Sequence, residues 1–292
     1  MTPCPTDSTL PLADWMSALD DRRELHTLSL PGSHDTCAYT VDDALARTQS
    51  APLDRQLLHG VRVLDIRCRH ERDTFHINHG GIALGITFDA VLADCARFLA
   101  AHPGECIVMS VKDECGSRDC TRSFERTFDT YLARDAAVRW HLGTAIPALG
   151  SVRGAIVLLR RFASERPLGI DLSAWPDNAS FLVDGAGAAF AIQDEYRVPV
   201  RASIDYKWHA IDALLGETPT VGGQRWVVNF CSGTGMGANP RLIALGDAGA
   251  AGIHARLLGR LATHDGACGT LMLDFCDDRD WALVRALVAR NA

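Results

Sequence analysis

Short apolar runs rich in β-branched residues recur along the chain, and each closes on polar residues at its C-terminal side. Eight of them fit strands: Leu25–Leu30, Val61–Arg67, Thr74–Asn78, Cys106–Lys112, Ala155–Arg161, Ala189–Asp194, Trp226–Phe230 and Thr270–Asp274. Helical patterns separate several of these. Phe88, Val91, Leu92, Cys95 and Leu99 form one apolar stripe at helical spacing, and Leu53–Leu58, Arg122–Leu132, Ile204–Leu215, Ile253–Ala262 and Ala282–Ala289 are further helix candidates. Strands alternating with helices call for a parallel sheet with crossover connections. Eight strands in a chain of this length predict a (β/α)8 TIM barrel. The barrel is expected to be distorted around strands 2 and 3, because only His70–Asp73 separates them and no helix fits there. A doubly wound open sheet is the alternative, weakened by the lack of a GxGxxG after the first strand.

In a parallel barrel the C-terminal strand ends share one face, where active sites are built. Here those ends carry His34 and Asp35, Asp65 and Arg67, Asn78 and His79, Lys112, Arg160 and Arg161, Asp194, Asn229 and Asp274. Alternation sharpens the picture: Val61, Val63, Asp65 and Arg67 share one strand face, and Thr270, Met272 and Asp274 another. Asp274 is expected to reach His34 across adjacent first and last strands, with Arg67 and His79 in the same mouth. The remaining histidines, His26, His59, His70, His76, His102, His141, His209, His254 and His264, read as surface, loop or packing residues.

Composition narrows the partners. The 292 residues carry 29 basic and 36 acidic side chains, a formal net charge of −7, so there is no basic excess to neutralise nucleic-acid phosphates. No stretch of about eighteen apolar residues would span a membrane. The opening segment Met1–Asp21 has neither the basic start nor the apolar stretch of a signal peptide, which leaves cytosolic and exported locations both open. The ten cysteines are scattered, the closest pairs being Cys115 with Cys120 and Cys268 with Cys276, without a zinc-ribbon spacing; they read as buried free thiols, with a Cys115–Cys120 disulfide as the lesser alternative. A single catalytic domain over 1–292 is expected, its core at about 22–290 behind an N-terminal extension.

Two histidines with carboxylate partners suit paired general base and general acid work near neutrality. A guanidinium between them suits a reaction that gathers negative charge on oxygens. Displacement at phosphorus meets both conditions. His34, His79 and Asp274 are also a conceivable metal set, but Arg67 in the same mouth would repel a divalent ion, so no metal or other cofactor is expected.

These residues resemble a known family. Leu28–Thr36 (LSLPGSHDT), Gly60–Arg67 (GVRVLDIR), Ile77–Gly80 (INHG) and Ile107–Lys112 (IVMSVK) resemble the X domain of phosphatidylinositol-specific phospholipase C, in its bacterial single-domain form. The likeness continues through Gly154–Phe162, Trp175–Asn178, Ile192–Tyr196, Val228–Phe230 and Leu273–Asp274. It implies a distorted barrel and attack of the inositol 2-hydroxyl on its own phosphodiester, giving diacylglycerol and a 1,2-cyclic inositol phosphate. By position it implies His34 as base oriented by Asp274, His79 as acid supported by Asp35, and Arg67 on the phosphate with Asp65 holding it. Lys112, Arg161, Asp194 and Tyr196 match its inositol-contacting positions. The expected partner is a phosphatidylinositol or GPI-type headgroup, bound by a monomer. The secreted bacterial members carry exposed rim tryptophans. Ala44–Ser50 and Gly233–Pro240 here hold no aromatic, with Met236 the only large apolar group in the second, so membrane contact is expected to be weak and peripheral. Trp175 and Trp226 read as packing residues. A metal-dependent glycerophosphodiesterase and a non-catalytic headgroup-binding module are the competing functions.

Overall fold

The computed structural model describes residues 11–134, 137–185, 187–221 and 225–292. In chain order the strands and helices begin β1 (Leu30–Ser33), α1 (Leu53–Leu58), β2 (Val63–Glu71), β3 (Thr74–His79), β4 (Ile82–Thr87), α2 (Phe88–Ala101), β5 (Ile107–Arg118) and α3 (Phe124–Arg134). They continue with β6 (Trp140–His141), α4 (Leu149–Val152), β7 (Ile156–Arg161), β8 (Ile170–Asp171), β9 (Ser180–Gly185), β10 (Ala188–Gln193), α5 (Ile204–Val221) and β11 (Trp226–Phe230). Last come α6 (Pro240–Leu245), β12 (Gly246–Asp247), β13 (Ala250–Ala251), α7 (Ile253–Leu261), β14 (Thr270–Leu273) and α8 (Asp278–Ala289).

The main sheet runs β6-β7-β5-β2-β1-β14-β11-β10-β9, parallel at every step except the last. It curls into a distorted barrel. Among the described residues no strand pairing joins β9 or β10 to β6, so the curl stays open on that side. Continuous apolar runs such as Ile107–Met109 and Ile156–Leu158 are buried throughout, as strands covered on both faces require. The amphipathic stripe of α2 buries Phe88, Val91, Leu92, Cys95, Phe98 and Leu99, and the Thr87 hydroxyl caps its first turn by accepting from the Ala90 amide.

Two strand expectations are corrected. Leu25–Leu30 is not the first strand: Leu25–Thr27 form a 3-10 turn, and the stave follows at Leu30–Ser33. Leu25, Leu28 and Leu30 are all fully buried, so the apolar positions alone do not separate the turn from the strand. Thr74–Asn78 is not a parallel stave either. β2 runs past the barrel rim, turns through Arg72 and Asp73 at positive φ, and returns antiparallel as β3, with Cys68 opposite Ile77. The distortion therefore lies at strands 2 and 3, as expected, in the form of a hairpin.

The packed body reaches back to Leu12, since Trp15 and Met16 of the 3-10 segment Leu12–Ala18 are fully buried across the N-terminal strand ends. The cysteines of the described residues are free, Cys115 and Cys120 included. No described helix is long and apolar enough to cross a membrane.

Candidate active site

The register of the staves assembles the mouth. β1 pairs β14 with Ser33 opposite Leu273, so the next residues, His34 and Asp274, emerge side by side. The Gln49 amide donates to the carbonyls of both His34 and Leu273 and ties the two strand ends together. The backbone turns at Asp35 with φ +40°, a conformation an aspartate tolerates better than most residues. Arg67 lies opposite Lys112, and Lys112 opposite Arg161, placing three cations in one row across β2, β5 and β7. Like charges directly opposite on adjacent strands are destabilising. Interleaved carboxylates offset the cost: Arg67 Nε and Nη2 donate to Asp65 Oδ2 at 3.0 and 2.9 Å, its Nη1 lies 3.5 Å from Glu114, and Lys112 Nζ meets Glu114 at 2.5 Å. His79 arrives by the hairpin and not by a stave of its own, because β3 runs back down to the level of the mouth.

Asp35 stands at the centre. Its Oδ2 lies 3.0 Å from Arg67 Nη1, 3.3 Å from His34 Nε2 and 3.5 Å from His79 Nε2. The rings of His34 and His79 are 6.4 Å apart, centroid to centroid, and nearly perpendicular. His34 Nδ1 is 2.7 Å from Asp274 Oδ1, and His79 Nδ1 is 2.7 Å from the Ala46 carbonyl, so each ring has one nitrogen fixed and turns Nε2 to the mouth. A cavity of about 500 Å³ opens there, lined among others by His34, Arg67, His79, Lys112, Glu114, Arg161, Trp175, Asp194 and Tyr196.

Burial sets the charges. It pushes the His34 ring well below the usual imidazole range, with Arg67 adding to the effect, so the ring is neutral at neutral pH. It lifts the Asp274 carboxyl, and the short contact leaves the pair sharing one proton. Asp35 is pushed up to about 6 by burial despite Arg67. Burial acts the same way on Asp65, but Arg67 and Arg161 outweigh it and hold that carboxyl below its usual range. Asp35 Oδ2, Asp65 Oδ1, Asp274 Oδ2 and Arg161 Nε and Nη1 are buried without a hydrogen-bond partner within the protein; Asp35 Oδ2 has ion-pair contacts with Arg67, His34 and His79, and Arg161 Nη1 lies 3.6 Å from Asp65 Oδ1, beyond hydrogen-bond range.

Within this mouth His34, Asp35 and Asp65 could present ligand atoms to one cation, but the Arg67 guanidinium already contacts both carboxylates. A second such group, His70, Asp73 and Cys120, has its donors engaged: the His70 ring nitrogens meet Ser117 and Thr127, and Asp73 accepts from Thr121 and Arg122.

The family model for the phosphatidylinositol-specific phospholipase C X domain matches residues 28–162. The 1-phosphatidylinositol phosphodiesterase of Staphylococcus aureus (strain Newman) is 33% identical over 236 residues, which covers 75% of this chain and 74% of that protein. The chain belongs to the phosphatidylinositol-specific phospholipase C family. The 1-phosphatidylinositol phosphodiesterase of Listeria monocytogenes is 32% identical over 251 residues, 82% of this chain and 74% of the relative. A mutant of the Staphylococcus aureus phosphatidylinositol-specific phospholipase C superposes with a TM-score of 0.80 at 26% identity, over 96% of this chain and 98% of that one. The Listeria monocytogenes enzyme does so at 0.72 and 28%, over 97% and 99%.

Every site residue expected from the sequence of this phospholipase C relative lies at the one mouth: His34, Asp35, Asp65, Arg67, His79, Lys112, Arg161, Asp194, Tyr196 and Asp274. None of the other histidines lines the cavity. Three strand-end residues do not line it, among them Asn78, which is fully buried with its amide near the Gly80 carbonyl. Arg160 points outward to Asp171 and the Leu168 carbonyl, and the Asn229 amide donates to the Ile211 carbonyl of α5. The reading of Trp175 as a packing residue is corrected. Its ring forms a cavity wall, the Arg161 guanidinium lies 3.7 Å above it, and its Nε1 donates to Asp194 Oδ2 at 2.9 Å. Trp226 is fully buried, as expected. Glu114 was missed because β5 runs on past Lys112; alternation from Lys112 would have placed it on the same face.

Proposed function

We propose that this chain is a metal-independent phosphatidylinositol-specific phospholipase C in which His34 and His79 act as base and acid on the two sides of one phosphodiester. Nε2 of His34 takes the proton of the inositol 2-hydroxyl, and that oxygen bonds to phosphorus. The bond from phosphorus to the glycerol oxygen breaks, and His79 Nε2 gives that oxygen its proton. The products are diacylglycerol and 1,2-cyclic inositol phosphate. Asp274 orients His34 and steadies the imidazolium as it forms. Ionised Asp35 holds the proton on His79, and Arg67, fixed by Asp65, meets the non-bridging oxygens. Attack within one molecule needs no positioned water, which suits a small mouth, and proximity lowers the barrier.

The observation that carries this reading is the pair of Nε2 atoms converging on Asp35 Oδ2 beside the Arg67 guanidinium. Two rings and one guanidinium around a single oxygen are the arrangement an in-line displacement needs. Asp194, Lys112 and Tyr196 line the polyol side of the cavity, with Trp175 and Arg161 stacked as its wall. The same headgroup occurs in GPI-type lipids.

A further structure of the Staphylococcus aureus enzyme concerns modulation of its membrane binding. Here the mouth is flanked by Met236, 92% exposed, and by the exposed Val200, Leu45 and Ile82. These four apolar side chains support shallow peripheral contact. Turnover of phosphatidylinositol vesicles in excess chelator tests the reading. Undiminished turnover is expected. Loss under chelator points to a metal-dependent diesterase, and no turnover in any condition to a headgroup-binding module.

A further inference from the structure

Lys207 is a fully buried lysine on α5, outside the ring of side chains that lines the cavity. Gln193 of β10 and Asn229 of β11 are partners in register, and both turn their amides toward α5. The ammonium of Lys207 donates to Gln193 Oε1 at 2.8 Å. Gln193 Nε2 is spent on Asn229 Oδ1 and the Phe230 carbonyl, each at 2.8 Å, so the amide is locked with its oxygen toward the lysine. A neutral amide does not offset the cost of burying an ammonium. The carboxylates that face it are Asp194 and Glu195 after β10 and Asp274 after β14, while the Cys231 thiol after β11 is kept neutral by burial. Phe230, whose carbonyl holds Gln193, places its ring 5.9 Å from the His34 ring, so the lysine and its amide sit directly behind the pair. The other charges of α5 lie on its outer face, where Asp205 and Asp212 pair with Arg256 and Arg260 of α7.

We propose that Lys207 is a positioning residue for the cleavage step, a buried cation behind the His34–Asp274 pair whose charge keeps the pair anionic and ready to take a proton. The inference rests on the reading of His34 as the base. The sign follows from electrostatics: the pair carries one negative charge before it accepts a proton and none after, so a nearby cation stabilises the proton-free form. Burial lowers the lysine to about 8, which leaves it charged at neutral pH. Asp35, Asp65, Arg67 and His79 face His34 from the mouth side, and Asp194, a cavity residue, also lies within the field of Lys207.

The test reads the His34 ring by nitrogen NMR, its signal assigned by its absence in His34→Ala. In Lys207→Met the midpoint of the His34–Asp274 titration moves up by roughly one pH unit, the scale of losing one charge in a partly shielded site. Lys207→Arg restores it, and turnover at pH 5 falls about tenfold more in the methionine variant than turnover at pH 7.5. A merely structural lysine would lower the melting temperature and leave the midpoint in place, which overturns the proposal. Should Lys207→Met not fold, Gln193→Glu puts a carboxylate against the ammonium and is expected to move the midpoint in the same direction; an unmoved midpoint there overturns it equally. In the wild-type protein the Lys207 side-chain nitrogen is expected to titrate as an ammonium at pH 6, and a neutral amine at that pH would also end the proposal. The NMR midpoint does not depend on turnover, so a chain inactive on phosphatidylinositol with a shifted midpoint would fault the function and spare the role of Lys207.

Discussion

The two ends of the barrel bury charge in opposite ways. At the N-terminal strand ends Arg62 and Glu105 are fully buried and fully bonded. Arg62 donates to Glu105, to the Leu57 and Val61 carbonyls and to those of Leu12 and Ala13, and stacks 4.5 Å from the Phe98 ring. Glu105 Oε1 accepts the amide and hydroxyl of Ser17. At the C-terminal ends Asp35, Asp65, Asp274 and Arg161 hold buried polar atoms with no hydrogen-bond partner within the protein. Burying polar groups in either place is costly; only one end recovers the cost within the chain. The bottom is a lock that secures the segment Leu12–Ala18 over the core. The mouth keeps donors and acceptors for something the chain does not contain, and its strained pKa values belong to that purpose.

The contrast breaks most sharply on the histidines. His34→Ala or His79→Ala is expected to lower phosphatidylinositol turnover by about 10³- to 10⁴-fold, with the melting temperature little changed. Turnover within tenfold of wild type would remove that histidine from the chemistry. At the other end the effect inverts. Arg62→Ala leaves Glu105 buried and unpaired and is expected to cost about 3–5 kcal/mol in urea unfolding, with normal kcat in the fraction that folds. A catalytic defect in folded Arg62→Ala would show that the ends are not independent.

How much of this contrast the sequence discloses depends on where the information lies. Strand-end identity is local, so His34, Asp65, Arg67 and Asp274 were legible from alternation and from the parallel-barrel rule. The mates of Arg62 were not, because Leu12–Ala18 meets it only through tertiary packing. His79 was placed correctly by the wrong route: as a parallel stave β3 would carry it to the mouth at its C-terminal end, whereas the antiparallel hairpin brings it back there by register. Trp175 lies on no regular element, and nothing in its spacing distinguishes a wall from a core residue. Lys207 interrupts an apolar helix stripe, a signal shared with any snorkelling lysine.

Smaller effects sharpen the account. Asp274→Asn is expected to lower kcat about 10- to 100-fold by weakening the hold on His34, with KM nearly unchanged; an unaltered kcat would make Asp274 structural. The pH dependence follows from Asp35, which burial lifts to about 6. Its folded value lies above the usual one, so its ionisation costs stability that grows as pH rises through the range from about 4 to 6 and stays lost above it. Activity runs the other way. The mouth works with Asp35 ionised against Arg67, so kcat/KM is expected to fall as pH drops through about 6, and Asp35→Asn to lose that limb along with part of the rate. Trp175→Leu, which removes the ring beneath Arg161, is expected to raise KM about three- to tenfold while kcat holds.

The most direct test is phosphorus NMR of the reaction mixture with phosphatidylinositol. Two imidazoles working on one phosphodiester, with the inositol 2-hydroxyl as nucleophile, predict a five-membered cyclic phosphodiester as the first resonance to grow. An acyclic inositol monophosphate forming first, with no cyclic precursor, would contradict it.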